Sequence, residues 1–266
     1  MPTPWKKMLR LTSAFALAAV SLTGCSSDSH TYVLVHGAFS DSNAWTRITP
    51  LLEEEGHKVV TLDLPAHGKD TTPADQASLQ GYTDRVLQAV DAQEEPVILV
   101  GHSMGGTVIS QVAEQRPEKV AQLVYVAAYL LPNGKSLLEA GQQDTESRLG
   151  QYLVFSADGK TATLKPEALK NAFCQDCSDA DVATLSGSAP KPEPTAPLGT
   201  PVMVTAANWG RVPRVYIETK QDLAVGPALQ KSLYTESPVE RVLSVDSGHL
   251  PFFTKPNELA AHLLSL

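Results

Sequence analysis

The sequence has little cysteine, little positive charge and no long apolar run. Only 3 of its 266 residues are cysteines, and 29 acidic residues outnumber 21 basic ones, giving a formal net charge of -8. This balance argues against nucleic acid or an anionic lipid surface as the main partner, because both require positive surface. Hydrophobic residues still make up 42% of the chain, which is enough for a real core. The length fits one α/β domain with an insertion.

The apolar stretch near the N-terminus is too short to span a membrane. It runs from Leu11 to Leu22, about a dozen residues against the roughly 20 that a spanning helix needs. The basic residues Lys6, Lys7 and Arg10 precede it, whereas all 29 acidic residues follow residue 24. A basic segment followed by a short apolar one is typical of an export signal, which we place at residues 1–24.

The end of this segment carries a more specific pattern. Leu22, Thr23, Gly24 and Cys25 together resemble the lipobox of bacterial lipoproteins. The resemblance implies cleavage before Cys25 and attachment of lipid there, with residues 25–30 as a polar tether. Several acyl chains give stable anchoring, so the expected location is the bacterial cell envelope, with the anchor as the only membrane contact. The alternative is an ordinary secretory signal with a chance cysteine.

The other two cysteines are Cys174 and Cys177. An exported protein meets oxidising conditions, which favours a disulfide between them, and two free thiols are the alternative. A redox-active pair would need a thioredoxin-like βαβ context, which the surrounding sequence does not have. A single pair cannot complete a zinc site of four protein ligands. The two cysteines therefore predict no metal site.

Strands and helices alternate from residue 31 onward, which predicts an α/β fold with a mostly parallel sheet flanked by helices. Predicted strands are 31–36, 58–62, 97–100, 123–127, 214–218 and 241–245, with helices at 45–55, 80–93 and from the 101–105 turn to about 116. The alternation stops after Ala128, where short helical pieces and a proline-rich run follow. Residues 31–128 and 213–266 therefore form the predicted core, and residues 129–212 an inserted helical cap. Open α/β sheets bind ligands at the edge that such a cap would cover.

The most informative motif is Gly101-His102-Ser103-Met104-Gly105. It is a G-x-S-x-G directly after an apolar strand and directly before a helix, which is the context of a nucleophile elbow. The turn is so tight that small residues must flank it. We therefore predict a strained backbone at Ser103, with its hydroxyl exposed as a nucleophile. The alternative is a glycine-rich turn with a solvated serine.

A serine hydroxyl needs a base, and His249 is the best candidate. It lies in a loop after the last predicted strand, in the chain order nucleophile, acid, histidine. His57 and His67 lie in loops before the nucleophile, and His262 lies on the C-terminal helix.

Asp222 is the predicted acid that orients this base. It follows the strand at residues 214–218 by a short loop, at the expected edge of the sheet. Asp246 is the competitor, but it lies only three residues before His249. We expect it to share the loop of the histidine and to have difficulty reaching Nδ1.

Acyl transfer also requires hydrogen-bond donors for the developing oxyanion. The backbone N–H of Met104, directly after the nucleophile, is one candidate. The loop after the first strand supplies the other, for which we predict the N–H of Ala38. We expect Phe39, His102 and Leu250 to line the substrate pocket.

These motifs resemble the branch of α/β-hydrolases that contains plant methylesterases, hydroxynitrile lyases and bacterial esterase relatives. The likeness covers most of the chain after residue 30 and includes the segments 33–38, 50–52, 56–60, 62–64, 101–105, 177–182, 215–217, 248–249 and 255–256. The resemblance implies the same triad and oxyanion donors. Lyases of this branch have a lysine after the catalytic histidine and a threonine after the first-loop histidine. Leu250 and Gly37 occupy these positions here, which disfavours cyanide chemistry.

The sequence therefore predicts a serine esterase that acts on a small-molecule ester through an acyl-enzyme, without a cofactor. Other reactions of the same triad remain alternatives: lactone hydrolysis, amide hydrolysis and perhydrolysis. A hydroxynitrile lyase, a non-catalytic binding protein and an envelope protein whose main role is a protein contact are weaker ones. By analogy with the family, the expected substrates are methyl or other short-chain esters of apolar acids.

Overall fold

The computed structural model describes residues 1–3, 29–187 and 191–266. The predicted lipid attachment site Cys25, nearly all of the export signal and most of the tether lie outside the described residues. Within the described ranges, no helix is both long enough and apolar enough to cross a bilayer.

A six-stranded sheet forms the centre of the fold, and all of its neighbouring strands pair in parallel. Its strands are β1 Thr31–Val35, β2 Lys58–Thr61, β3 Val97–His102, β4 Val120–Val126, β8 Arg214–Thr219 and β9 Arg241–Val245, and the three strands between β4 and β8 belong to the inserted segment. Their spatial order is β2-β1-β3-β4-β8-β9. The carboxyl ends of parallel strands lie at the same edge, so the loops after β1, β3, β8 and β9 gather there.

Helices cover both faces of this sheet, as predicted. They are α1 Thr49–Glu54, α2 Leu79–Asp91, α3 Gly105–Gln115, α7 Pro227–Glu236, α8 Pro251–Thr254 and α9 Pro256–Leu264. The predicted helix at 45–55 begins later than expected, because a 3-10 turn at Ser42–Trp45 precedes it and Pro50 lies in the first turn of α1. It ends before Gly56, whose φ of +85° is the left-handed conformation expected after a helix.

The apolar residues of β1 explain why the sheet is covered on both faces. Val33 and Val35 pack in the core cluster that also contains residues of α2 and α3. Tyr32 and Leu34 pack in the opposite cluster, which contains residues of α1 and α9. Successive side chains of a strand point to opposite faces, so a continuous apolar run indicates a strand buried on both sides.

The inserted cap between β4 and β8 contains both helices and strands. Its helices are α4 Leu137–Gly141, α5 Asp179–Gly187 and α6 Thr195–Gly199, with a π-helical turn at Leu169–Phe173. A small antiparallel sheet, β5 Leu153–Phe155, β6 Thr161–Leu164 and β7 Glu193–Pro194, was not predicted. Strands of three, four and two residues carry too little periodic pattern to be recognised from sequence.

Candidate active site

Ser103 lies at the tight turn between β3 and α3, with its backbone in the left-handed region at a φ of 51°. Hydrogen bonds hold this unusual conformation. The Ser103 N–H donates to the carbonyl of Val126 (3.2 Å), and its carbonyl accepts from the N–H of Tyr129 (3.1 Å). Strained backbone of this kind is found at functional sites where surrounding structure enforces it.

Two glycines allow the turn to form because neighbouring backbone leaves no room for a side chain. A Cβ at Gly101 would lie 2.7 Å from the carbonyl oxygen of Gly105. A Cβ at Gly105 would lie 2.8 Å from the carbonyl oxygens of both Val35 and His36. Strand β1, strand β3 and helix α3 therefore approach one another through backbone contact at this point.

We expect Gly105→Ala to lower the free energy of unfolding by about 1–3 kcal/mol, because backbone must move to accept the added methyl group. Urea denaturation followed by circular dichroism measures this loss. Gly150→Ala is the matched control, since a Cβ there meets nothing within 4 Å. Equal unfolding midpoints for the two variants would contradict the close approach at Gly105.

His249 follows β9 in a loop that is buried against the turn containing Ser103. Its side chain is 1% exposed, and its Nδ1 lies 2.7 Å from Oδ2 of Asp222. The backbone carbonyl of His249 accepts a hydrogen bond from Nε2 of His102 (2.9 Å), the residue directly before Ser103. Because a carboxylate accepts the proton on Nδ1, the Nε2 atom of His249 is left as the basic nitrogen.

Asp222 is fully buried, and five donors surround its carboxylate. Its Oδ1 accepts from the backbone N–H groups of Ala224 and Val225, both at 2.8 Å. Its Oδ2 accepts from Oγ1 of Thr219 (2.8 Å), from Nε2 of Gln230 (3.3 Å) and from His249. A buried charge with this many hydrogen bonds has a fixed orientation and stays an acceptor.

The alternative residues weighed from sequence lie elsewhere. Asp246 is exposed and accepts from Nε2 of Gln221 (2.8 Å). His57 stacks on His30 beside the start of β1, at the other end of the sheet. His262 lies on α9, with its Nε2 3.0 Å from the carbonyl of Ser244.

The predicted oxyanion donors flank Ser103. Met104 directly follows Ser103 at the start of α3, and the loop after β1 runs against the same turn. A Cβ at Gly37 would lie only 2.8 Å from the Cβ of Ser103, so the loop that continues into Ala38 passes directly beside Ser103. Within the described residues, the N–H groups of Ala38 and Met104 donate no hydrogen bond to the protein. Both donors are thus available to a ligand.

The three predicted pocket residues have different surroundings. His102 is 2% exposed and packs edge-on against Phe252, with ring centroids 4.9 Å apart. Burial, followed by the neighbouring His249, holds the pKa of His102 well below its usual value, so the ring is neutral. Leu250 is buried in the core, whereas Phe39 is only partly buried. Of the three, the side chain of Phe39 has the largest accessible surface.

A cap segment joins the loops that carry Asp222 and His249. The carbonyl of Phe173 accepts from the N–H of His249 (3.0 Å), and Asp176 accepts from the N–H of Gly248 (3.0 Å). Gln175 donates to the carbonyl of Gln221, next to Asp222. A disulfide between Cys174 and Cys177, whose Cα atoms are 5.1 Å apart, encloses Gln175 and Asp176. The cap therefore contributes directly to the placement of the site.

Two polar residues around Asp222 were not found from the sequence. Thr219 is the last residue of β8, and Gln230 lies on α7. The Gln230 side chain is fully buried and also donates to the carbonyl of Val225 (2.7 Å). No motif identifies such residues, because their role follows from burial and from contacts that the fold creates.

Comparison with known proteins identifies the family to which the chain belongs. The sequence model of the alpha/beta hydrolase family matches residues 32–262. The chain belongs to this family. Methylesterase 9 of Arabidopsis thaliana is 30% identical over 251 residues, which are 88% of this chain and 97% of the relative. Another Arabidopsis relative, named as a chloroplastic methylesterase, is 34% identical over 88% of this chain, and the chain spans 63% of its length.

Solved structures agree with the family assignment. The structure of a pyrethroid hydrolase, PytH, aligns with a TM-score of 0.77 at 27% identity, covering 89% of this chain and 96% of that chain. Polyneuridine aldehyde esterase aligns with a TM-score of 0.80 at 24% identity over 89% and 98% of the two chains, which shows the shared fold. The predicted fold is therefore confirmed, and the methylesterase relatives place the chain among carboxylic ester hydrolases.

Proposed function

We propose that this protein hydrolyses small carboxylic esters through an acyl-enzyme formed on Ser103. The observation that carries the proposal is the pairing of His249 Nδ1 with the buried carboxylate of Asp222 at 2.7 Å, beside the turn that holds Ser103. In the neutral ring whose proton lies on Nδ1, the second ring nitrogen of His249 is a free acceptor, and a serine nucleophile needs such a base.

In each half of the reaction, His249 acts first as a base and then as an acid. Nε2 of His249 takes the proton of Ser103 as its oxygen attacks the ester carbonyl, and Asp222 stabilises the resulting imidazolium. The N–H groups of Ala38 and Met104 stabilise the tetrahedral oxyanion. His249 then protonates the departing alkoxide, which leaves as an alcohol. Water attacks the acyl-enzyme with His249 again as base, and His249 returns this proton to the Ser103 oxygen as the carboxylic acid is released.

Methyl or other short-chain esters of apolar acids are the substrates we propose. The names of the Arabidopsis relatives support methyl esters. The limited exposure of Ser103, at 8%, supports small substrates. Leu250, directly after His249, is an apolar residue with no cation to stabilise a departing cyanide, so hydrolysis is favoured over lyase chemistry.

A panel of esters tests this function with the purified protein. The panel contains p-nitrophenyl esters of increasing acyl length, methyl esters of apolar acids, a lactone and an anilide, together with a fluorophosphonate that traps reactive serines. Ester turnover with an optimum at short chains, accompanied by labelling of Ser103, is the expected result. Preferential turnover of the lactone or the anilide would move the assignment to another reaction of the same triad. Absence of both turnover and labelling would refute the proposal.

We also propose that the protein is exported and held at the cell envelope by lipid on Cys25. The lipobox-like residues before Cys25 and the basic segment that precedes them support this location. Cys25→Ser removes the thiol that would carry the lipid, so we expect the protein to move from the membrane fraction to the soluble fraction after expression in bacteria. Immunoblots of the two fractions and incorporation of labelled palmitate measure the change. Ser27→Ala is the control, and membrane association unchanged in Cys25→Ser would contradict the anchor.

A further inference from the structure

A carboxylate of the cap contacts the loop that carries the predicted oxyanion donor. Glu193 is the first residue of β7 and is fully buried. Its Oε2 accepts a hydrogen bond from the backbone N–H of Phe39 (2.7 Å) and lies 2.9 Å from Nε2 of His67. Phe39 directly follows Ala38. A single carboxylate oxygen of the cap therefore contacts both the loop after β1 that carries Ala38 and the loop after β2 that carries His67.

The hydrogen bonds of His67 define its protonation state. Its Nδ1 lies 2.9 Å from the carbonyl oxygen of Pro65, and a carbonyl can only accept, so Nδ1 carries a proton. Its Nε2 faces the carboxylate of Glu193, which accepts as well. With both nitrogens protonated, His67 is an imidazolium, and the pair is a buried ion pair between side chains 3% and 0% exposed.

The surroundings of the pair agree with this charge state. Burial alone lowers the pKa of His67, but the hydrogen bond to Glu193 and its negative charge, with smaller contributions from Pro65 and Asp63, outweigh burial and raise it. Within the described residues, Oε1 of Glu193 is buried and has no hydrogen-bond partner. The charge of Glu193 is therefore balanced mainly by His67.

The neighbouring His36 is neutral, in contrast to His67. It holds the peptide group on the N-terminal side of Ala38. Its Nε2 accepts from the N–H of Leu64 (3.1 Å), so its Nδ1 carries the single proton and donates to the carbonyl of Gly37 (2.8 Å). Burial, followed by the nearby charge of His67, lowers the pKa of His36 to about 3, so the ring is neutral. In a trans peptide the C=O and N–H point in opposite directions. Fixing the carbonyl of Gly37 therefore fixes the N–H of Ala38.

The two contacts constrain Ala38 from both sides. His36 holds the peptide before it, and Glu193 holds the peptide after it. Phe39 has a φ of 55°, a left-handed conformation that is unfavourable for phenylalanine and that its hydrogen bond to Glu193 stabilises. Without this acceptor, we expect the Ala38–Phe39 peptide to rotate toward a more favourable conformation, which leaves the Ala38 N–H restrained from the His36 side only and therefore less precisely directed.

We propose that Glu193, ion-paired with His67, is a positioning residue that keeps the Ala38 N–H directed at the oxyanion. The proposal rests on the proposed ester hydrolysis, because the oxyanion concerned is the one that forms when Ser103 attacks the ester carbonyl. It also assigns a role to the cap, because through Glu193 the cap helps to hold the loop that carries the Ala38 N–H.

The charged and titratable groups that face His67 determine which charge near the ion pair changes with pH. They are Glu193 from the cap, His36 from the loop after β1, Tyr82 from α2, and Asp63 and Asp70 from the loop that carries His67. The pKa values of both aspartates are lowered, despite partial burial, by hydrogen bonds from backbone N–H groups, and burial raises that of Tyr82. His67 is therefore the group that changes charge as the pH rises from neutral.

The sign of the pH effect follows from the raised pKa of His67. A group whose pKa is higher in the folded state stabilises that state at low pH and loses this contribution as the pH rises through the folded pKa. The stability of the wild type relative to Glu193→Gln is thus expected to decrease from neutral to alkaline pH. Urea denaturation of both proteins across this range measures the difference.

Kinetics of Glu193→Ala and Glu193→Gln test the positioning role. Alanine removes the acceptor for Phe39, so we expect kcat for an ester to fall by about 10-fold to 100-fold while KM changes little, because a misdirected donor weakens binding of the transition state only. Glutamine retains an oxygen that accepts from Phe39, so kcat should recover to within about threefold of the wild type. Equal kcat for the wild type and a folded Glu193→Ala would overturn the proposal.

A second measurement does not depend on turnover. In histidine-labelled protein, NMR should show His67 doubly protonated near neutral pH in the wild type and singly protonated in Glu193→Gln, with His67→Gln assigning the signal. A neutral His67 in the wild type would overturn the proposal even if esters are hydrolysed. If no ester is turned over, the proposed function fails, and shifted amide signals of Ala38 and Phe39 in Glu193→Ala would still support the positioning contact. If Glu193→Ala does not fold, the proposal is decided by the protonation of His67 that NMR shows in the wild type and in Glu193→Gln.

Discussion

Ser103→Ala is expected to reduce kcat for a p-nitrophenyl ester by about 10⁶-fold, leaving only the slow rate due to binding and the oxyanion donors. The reason is that the variant loses the atom that forms the acyl-enzyme, and the fold supplies no other nucleophile at the turn. The effect on folding should be small, because the neighbouring glycines and the backbone hydrogen bonds of residue 103 remain. Initial rates at saturating ester, with fluorophosphonate labelling in parallel, measure the loss.

The matched control is Ser232→Ala, at an exposed serine of α7 whose hydroxyl donates only to Glu236. Its rate and labelling should equal those of the wild type. Ester turnover retained in Ser103→Ala within about tenfold would show that hydrolysis does not pass through this hydroxyl. A contaminating esterase is recognised by equal rates in all three preparations without labelling of the protein.

The turn at Ser103 could be predicted because residues that are consecutive in the sequence determine its backbone geometry. A buried strand, a serine between small residues and a following helix specify one backbone path, and the close contacts of Gly101 and Gly105 are the physical reason. The positions of Asp222 and His249 could be predicted because both follow strands of one parallel sheet, whose carboxyl ends share an edge.

The contact between Glu193 and Phe39 could not be predicted in this way, since the two residues are 154 positions apart. Nothing in the proline-rich run around Glu193 indicates that its carboxylate is buried. The same holds for Gln230, whose fully buried amide bonds to Thr219 and Val225 only because α7 packs onto β8. Contacts of this kind follow from the packing of the cap and of the helices, and a local pattern does not encode them.

The cap also explains why substrate preference is less predictable than the reaction. The residues that hold the loops of Asp222 and His249 include Gln175 and Asp176 of the cap, so the cap helps to fix the positions of these two side chains. Changes in the cap are therefore expected to alter kcat as well as KM. Substrate binding and the chemical step are therefore expected to be coupled through the cap.

Asp222→Asn is expected to lower kcat by about 10⁴-fold although Ser103 and His249 are both retained. In the wild type the carboxylate accepts the Nδ1 proton of His249, which leaves Nε2 free to take the proton of Ser103. An asparagine amide that turns its NH₂ group toward His249 donates instead, so Nδ1 becomes the acceptor and the proton moves to Nε2. The imidazole then has the wrong tautomer to act as a base, and no buried charge stabilises the imidazolium.

Asp246→Asn is the control that separates the two aspartates. Asp246 is exposed and bonded to Gln221, so its replacement should leave kcat within about twofold of the wild type. Circular dichroism checks that Asp222→Asn is folded, since its buried amide also faces Thr219 and Gln230. If Asp246→Asn loses as much activity as Asp222→Asn, the orienting acid is misassigned. If only Asp222→Asn is impaired, Asp222 is the acid that makes His249 a base. Its carboxylate is the one that is buried and surrounded by five donors.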